Sequence, residues 1–252
     1  MKRIILLLFM WPVLCSSQET PELWALQANQ AYNENKFNAA ITSFEKVIDA
    51  GYASEGIYFN LGNAYFKQNN FAAAILYYEK ALRIDPSDEN TRYNLQVART
   101  KIPDKIDAVP PPFYLNAWNA ARNLFSMRLW AIIIIVSLTL TLASIALFLM
   151  AQKRSRRKAG FWTASLFLIL LCVSALLAYS RLYTLQHRRE AIIFNPTVPV
   201  KSSPDEKSTD IFVIHEGTKV MIKDEIGDWY EIRIDNGNTG WVQRSVMQTI
   251  DN

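Results

Sequence analysis

Residue types that catalyse reactions or bind metals are sparse in this 252-residue chain. Its two histidines, His187 and His215, have no Cys or His neighbour at metal-ligand spacing, so both are predicted to be structural or surface residues. Asp224, Glu225 and Asp228 cluster in sequence but flank a turn, which indicates a solvated turn rather than an acid–base pair or a calcium site. No glycine-rich phosphate loop is present. The sequence therefore predicts a protein that is not an enzyme and has no cofactor or metal site.

The chemistry that the chain does offer is binding, through aromatic and small residues that recur in its N-terminal part. They repeat at a spacing of 34 residues: Trp24 and Tyr58, Ala28 and Gly62, Phe37 and Phe71, Ala40 and Ala74, Phe44 and Tyr78. This spacing is the period of tetratricopeptide helix pairs, which stack into a concave surface that holds another protein. We predict repeats over residues 21–54 and 55–88 and a capping helix after them, so that residues 21–102 form one helical domain.

The concave face of such a stack comes from the first helix of each pair. By the spacing, the residues that face this protein-binding groove are Asn29, Tyr32, Asn33, Phe59, Asn63, Phe66 and Lys67, with Tyr93 and Val97 added by the cap. Ala25 and Asn90 stand where repeats that clamp a peptide carboxylate carry lysines. The groove is therefore predicted to hold an internal peptide segment or a helix. The alternative is that these side chains only pack or face water.

Three apolar stretches predict export and membrane anchoring. Residues 1–17 have a basic start, a short apolar core and a small polar end, which is typical of a signal peptide; lipidation of Cys15 is an alternative. Residues 129–151 and 159–179 are long and apolar enough to be transmembrane helices. The segment between them, residues 152–158, is predicted to be a basic hairpin.

Charge predicts how the chain is oriented in the membrane. Positive residues favour the cytoplasmic side, so Lys153–Lys158 are predicted to be cytoplasmic. A signal peptide exports the repeats, and both soluble domains are then periplasmic on the inner membrane. Arg181, Arg188 and Arg189 follow the second span on the outside and conflict with this orientation. Neither soluble part has a basic face, which excludes nucleic acid as a partner.

Residues 103–128 are predicted to be a linker that leads into the membrane. The run Pro110–Pro112 favours extended polyproline geometry and a stiff spacer. Phe113, Tyr114 and Trp118 follow it, and this aromatic content is typical of a helix at the membrane interface.

The C-terminal part, residues 197–252, has the short alternating apolar runs and turn residues of a small all-β barrel. Alternation predicts that Tyr230 and Ile232 face the core and that Trp229 points outward. Trp229 and Trp241 are then candidates for a ligand-binding platform. The alternative is that Trp229 is structural and half covered by the loop over residues 202–210.

Two parts of the chain resemble known families. Residues 21–88 resemble tetratricopeptide repeats. Residues 197–250 resemble bacterial SH3 domains through these segments: Val200–Pro204, Glu216–Thr218, Gly227–Arg233 and Gly240–Val242. The order of leader, repeats, two spans and SH3-like barrel is similar to the BatE-like members of the Bat aerotolerance family. This resemblance implies an envelope complex with von Willebrand-type membrane proteins and, indirectly, a MoxR-type ATPase.

The sequence thus predicts a multidomain membrane protein with α-helical repeats, a two-helix transmembrane hairpin and an SH3-like barrel. Its predicted function is that of a non-enzymatic scaffold in an envelope stress or aerotolerance complex. A second hypothesis is a peptidoglycan-binding sensor that recruits cell-wall enzymes. A third is an accessory whose basic hairpin touches a cytoplasmic ATPase.

Overall fold

A computed structural model describes residues 20–106, 112–187 and 189–250 of the chain. The predicted signal peptide over residues 1–17, with Cys15, lies outside the described residues, as does most of the linker's proline run. No side chain is described for residues 185–187, which include His187.

The N-terminal region folds as consecutive helices, which the structure bounds as α1 Pro21–Asn33, α2 Phe37–Asp49, α3 Glu55–Lys67, α4 Phe71–Ile84 and α5 Glu89–Arg99. Four of them begin at a side-chain cap, in which an oxygen accepts a hydrogen bond from a backbone N–H three residues on: Thr20, Ser54, Asn70 and Asp88. Asn35 and Asn69 adopt positive φ angles of 59° and 61° in the turns between paired helices. Asparagine tolerates this left-handed conformation better than most residues do, and the two turns repeat at the predicted period.

Small residues allow the paired helices to approach closely. A Cβ atom added at Gly62 would lie 2.7 Å from ring carbons of Tyr78, so α3 and α4 could not pack this way with a larger residue. Ala28 and Ala40 are fully buried between α1 and α2. The helical repeats predicted from the 34-residue spacing are confirmed.

Three further helices follow: α6 Phe113–Arg122, α7 Met127–Met150 and α8 Arg154–His187. The helices α7 and α8 pack side by side along their length and are long and apolar enough to cross a membrane. The indole of Trp118 in α6 donates to Ser180 Oγ at 3.1 Å, and Arg122 Nη1 donates to Thr184 Oγ1 at 2.7 Å. The C-terminal part of α8 therefore holds α6 in place.

The segment predicted as a basic hairpin is mostly helix. Residues 154–158 form the first turns of α8, and only residues 151–153 connect it to α7. Arginine and lysine are good helix formers, and no Pro or Gly interrupts the run. The helix α8 also continues beyond residue 179, where the second span was predicted to end, because no Pro or Gly interrupts residues 180–187 either.

The C-terminal region is an antiparallel sheet whose strands are β1 Glu190–Ile193, β2 Thr197–Lys201, β3 Asp210–His215, β4 Lys219–Ile226, β5 Trp229–Arg233, β6 Thr239–Gln243 and β7 Met247–Thr249. Their order in the sheet is β3-β2-β6-β5-β4-β1-β7. Tyr230 and Ile232 are buried in the core, as alternation predicted. The sheet begins at Glu190, before residue 197, because β1 pairs with both β4 and β7.

The strand β1 joins the sheet to the repeats. Ala191 and Ile193 face the core of the sheet, whereas Ile192 faces the repeats and packs in one cluster with residues of α4 and α5. Ile250 joins the same cluster, and all four side chains are at most 2% exposed. The repeats and the barrel therefore share a continuous apolar contact, here called the repeat–barrel interface. The sequence predicted separate domains and gave no indication of it.

Candidate functional site

A cavity of about 310 Å³ opens between α1, α3 and α5 on the face predicted to bind protein, and we call it the repeat cavity. Its lining is aromatic and amide-rich: Tyr32, Asn63, Phe66, Lys67, Tyr78, Tyr93, Asn94 and Val97. Tyr93 is 67% exposed at its rim. Four of the seven groove residues predicted from the repeats thus line one cavity, together with both residues predicted from the cap.

Paired asparagines give this face an ordered set of hydrogen-bonding groups. Asn60 Nδ2 donates to Asn29 Oδ1 at 3.2 Å, and one repeat further on Asn94 Nδ2 donates to Asn63 Oδ1 at 2.9 Å. Within the described residues, each pair keeps one amide NH₂ and one amide oxygen without a partner. A peptide backbone offers the complementary acceptor and donor, so each pair can satisfy one peptide group of a ligand.

A buried tyrosine fixes the orientation of Asn63. The hydroxyl of Tyr78 donates to Asn63 Oδ1 at 2.7 Å. Burial raises the pKa of Tyr78 above its usual value, so the phenol stays protonated and remains a donor. With Oδ1 accepting from both Tyr78 and Asn94, the Asn63 amide NH₂ is held in one orientation.

The other predicted groove residues lie outside the cavity. Phe59 is half-buried and packs against Tyr78, with ring centroids 6.2 Å apart, because α4 crosses closely at this point. Asn29 is exposed beside the cavity and bonded to Asn60, and Asn33 is exposed at the end of α1. The groove residues predicted from the sequence did not include Asn60 or Asn94. Their 31-residue offset from Asn29 and Asn63 is the signal that pairs them.

In the barrel, Trp229 and Trp241 lie on the outward face but are half-buried rather than fully exposed. Trp241 pairs with Lys201 and Glu231 across neighbouring strands, and Trp229 pairs with Gln243. Gln243 Nε2 donates to Glu206 Oε1 at 3.1 Å, so the loop after β2 lies against this face. Both interpretations, a ligand platform and a structural Trp beside a covering loop, fit this geometry.

The barrel also has a wider cleft that the sequence did not indicate. It measures about 650 Å³, and neither tryptophan lines it; the lining residues are Asp228, Tyr230, Gln243, Arg244, Ser245, Met247, Gln248 and Thr249. Arg244 lies over the Tyr230 ring, 5.7 Å from its centroid, and Arg189 lies over the same ring at 5.4 Å. These residues come from strand ends and a 3₁₀ turn, and no spacing in the sequence brings them together.

A charged cluster lies at the repeat–barrel interface. Glu79 of α4 contacts Arg99 Nη2 at 2.6 Å and Lys219 Nζ at 2.8 Å, and Lys219 Nζ also lies 3.1 Å from Glu190 Oε2. Burial alone would raise the pKa of Glu79, but the cations of Lys219 and Arg99 outweigh it and lower that pKa. Burial would likewise lower the pKa of Lys219, but the carboxylates of Glu79 and Glu190 raise it.

A second polar contact fixes the segment after α5 to the barrel. Asp104 Oδ2 accepts from the His215 backbone N–H at 2.8 Å and from Thr218 Oγ1 at 2.6 Å, while Asp104 Oδ1 lies 2.7 Å from His215 Nδ1. Burial opposes ionisation of Asp104, but these hydrogen bonds lower its pKa. His215 is therefore a structural residue. Among the described residues, no group of three or more His, Cys, Asp or Glu side chains could hold a metal ion.

Comparison with known families agrees with this architecture. Residues 57–88 match the tetratricopeptide repeat family, and residues 196–248 match the bacterial SH3 domain family. No curated protein matches the chain. Both matched families are typically non-catalytic interaction modules, and neither indicates an enzyme. The fold and the two matches define a protein-interaction scaffold that carries two long apolar helices.

Proposed function

We propose that the protein is a membrane-anchored scaffold that holds partner proteins of an envelope stress or aerotolerance complex. In this proposal α7 and α8 anchor it in the inner membrane, and the repeats and barrel are periplasmic. The observation that carries the proposal is the repeat cavity, where oriented amide groups lie beside exposed aromatic rings. Such a surface suits the backbone and apolar side chains of an extended peptide segment.

The environments of the outer arginines support this orientation. Arg181 is buried and donates to the backbone carbonyl of Phe125 and to the last carbonyls of α4. Arg189 forms an ion pair with Glu225 at 3.0 Å. Arg181 and Arg189 therefore have a structural explanation that is independent of membrane topology, whereas Arg188 lies outside the described residues. The exposed bases of residues 153–158 remain as the topological signal.

The partners that we propose follow from the resemblance to BatE-like proteins. They are von Willebrand-type Bat membrane proteins, bound at the repeat cavity, and through them indirectly a MoxR-type ATPase. Asn63, Phe66 and Lys67 would make the central contacts, and Tyr93 the contact at the rim. Each repeat adds one asparagine pair, so the ligand would run along the repeat face as an extended internal segment.

Photocrosslinking in intact membranes tests this proposal. A benzoyl-phenylalanine in place of Tyr93, at the rim of the cavity, is expected to capture a von Willebrand-type membrane protein. The same probe in place of Tyr52, which is 57% exposed but does not line the cavity, is the matched control and is expected to capture much less. Replacing both Asn63 and Phe66 with Ala should lower the yield at Tyr93 about tenfold or more, because central contacts dominate binding.

Two checks keep this experiment interpretable. Asn63 and Phe66 also have packing partners, so the thermal unfolding of the double variant must be measured. The exposed substitution Lys67→Glu changes the cavity without disturbing the core and should also weaken capture. If the Asn63→Ala/Phe66→Ala variant folds and the crosslinking yield at Tyr93 is unchanged, the proposal of a peptide-binding groove is wrong.

The second candidate function is peptidoglycan binding, which the outward Trp229 and Trp241 favour. The measurement is co-sedimentation of the detergent-solubilised full chain with purified cell wall. If the tryptophans form the platform, replacing both with Ala should weaken sedimentation about thirtyfold, because aromatic stacking contributes roughly 1 kcal/mol per ring and two rings are lost. Val213→Ala, at an exposed position of β3, is the control in the same domain. Recovery of wall enzymes through the barrel alone would favour this candidate over the scaffold.

A further inference from the structure

A cleft of about 490 Å³ lies where α7 meets the beginning of α8, and we call it the hairpin cleft. Its polar rim includes Arg154, Arg157 and Lys158, and its deeper wall is formed by Phe148, Phe161 and Trp162. The Arg157 guanidinium lies over the Phe148 ring, 5.0 Å from the ring centroid. Phe161 contacts both neighbouring rings, with centroids 6.2 Å from Phe148 and 5.6 Å from Trp162.

Helical spacing brings these residues together on one face. In α8 the three bases and the two aromatics follow the order i, i+3, i+4, i+7 and i+8, which is a single stripe along a helix. Arg156 falls outside this stripe, and Lys153 precedes the helix. Gly160 allows the close approach of α7 that completes the cleft, because an added Cβ would lie 2.8 Å from the Phe148 backbone nitrogen.

The bases of this region have no carboxylate near them. The sequence contains no Asp or Glu between Asp107 and Glu190. In the part of the chain that the structure describes, no ion pair involves residues 153–158. The 24 residues of α7 span about 36 Å and separate these bases from the carboxylates of the repeats and the barrel. Their counter-charge must therefore come from another molecule.

We propose that the hairpin cleft binds the headgroup of an anionic phospholipid. The phosphate accepts hydrogen bonds from Arg154 and Arg157 at the rim, and Lys158 adds a third positive charge. The glycerol and the first acyl carbons lie against Phe161 and Trp162, one to two turns deeper along α8. The proposal rests on the membrane insertion of α7 and α8, which carbonate extraction of membranes tests separately.

The order of charge and aromatic rings favours a lipid over a protein partner. The bases lie at the end of the apolar helices, and the rings begin where the apolar span begins, so the stripe follows the change from headgroup to hydrocarbon. Trp162 is 70% exposed and Phe161 is 53% exposed, which leaves both rings accessible to lipid. A soluble protein could reach the bases but not the deeper rings within the bilayer.

The test is native mass spectrometry of the full chain released from detergent micelles. The protein is titrated with phosphatidylglycerol or with phosphatidylcholine that has the same acyl chains. The variant Arg154→Gln/Arg157→Gln removes two cleft charges, and Lys153→Gln/Arg156→Gln removes two neighbouring charges outside the cleft. We expect the first to weaken phosphatidylglycerol binding about tenfold or more, because hydrogen bonds to ionised groups are lost. The second should change it about threefold or less, because only exposed charge is removed.

Four results would overturn the proposal. Equal weakening in both variants would mean a diffuse positive surface instead of a site. Equal affinity for the two lipids would remove the role of headgroup charge. Displacement of the lipid by free glycerol phosphate at matched concentration would mean a site for a soluble phosphate. Capture of a cytoplasmic ATPase that depends on Arg154 and Arg157, without a lipid preference, would identify the bases as a protein contact.

Discussion

Replacing Glu79 with Gln is expected to destabilise the full chain by about 3 kcal/mol, because breaking a buried ion pair leaves its partner charge uncompensated. The Glu79 side chain is 9% exposed and contacts both Lys219 and Arg99. Without its carboxylate, the mostly buried Lys219 ammonium keeps only Glu190 as a counter-charge. The measurement is thermal unfolding in detergent, followed by tryptophan fluorescence. Hydrogen exchange should show α4 and β1 losing protection together, because both contribute to the interface.

The exposed Glu89→Gln, in the first turn of α5, is the matched control and should change stability by less than about 0.5 kcal/mol. Replacing Glu79 and Lys219 together with Met should recover only part of the loss, since it removes the unpaired ammonium but takes Lys219 away from the mostly buried Glu190. If Glu79→Gln unfolds like the parent protein, the charged cluster does not hold the repeats on the barrel.

The pKa shifts define the pH range over which the cluster stabilises the protein. The pKa of Glu79 is lowered in the folded state, so its contribution is complete above the ordinary Glu pKa and is lost as pH falls through the lowered value. The pKa of Lys219 is raised, so its contribution is complete below the ordinary Lys pKa and is lost as pH rises through the raised value. The difference between the parent and Glu79→Gln should therefore be constant around neutral pH and shrink in acid.

Periodic features of the fold could be predicted because each depends on a regular pattern of residue types along the sequence. The 34-residue spacing gave the helical repeats, the long apolar runs gave α7 and α8, and alternation gave the strands around Tyr230. The strand β1 was missed because its run from Ala191 to Phe194 is apolar throughout instead of alternating. The run is apolar because the strand is buried on both faces. Ile192 packs against the repeats, whereas Ala191 and Ile193 pack in the core of the barrel.

The repeat–barrel interface could not be predicted because its partners are distant in sequence. Glu79 and Lys219 lie 140 residues apart, and each alone has the sequence context of an exposed charge. The residues of the repeat cavity were easier to predict, since helical spacing identifies the residues on one face of a helix. Spacing alone could not show that Phe59 turns toward Tyr78, because that depends on how closely α4 packs.

Replacing Gly217 with Ala is expected to weaken the repeat–barrel interface by about 3 kcal/mol, from roughly 1 kcal/mol of backbone strain and 2 kcal/mol of steric overlap. Gly217 has a φ of +83°, and an added Cβ would lie 2.4 Å from Ile102 Cγ2 and 3.4 Å from Ile75 Cδ1. Both isoleucines belong to the repeat side, so the new methyl group would push the barrel away from the helices. Thermal unfolding measures the loss, and tryptic cleavage after Lys105, next to the Asp104 that bonds to the barrel, reports separation of the two parts.

Gly237 provides the control that separates strain from overlap. Its φ is +94°, but nothing lies within 4 Å of an added Cβ, so Gly237→Ala should lose only about 1 kcal/mol. Adding Ile102→Ala to Gly217→Ala removes the methyl group that collides, and this pair should be less destabilised than the sum of the single variants. Two results together would mean that the barrel does not dock tightly on the repeats. Gly217→Ala and Gly237→Ala would lose the same stability, and the effects of Gly217→Ala and Ile102→Ala would be additive. In that case the scaffold would present its repeat cavity and its barrel as independently moving sites instead of one rigid surface.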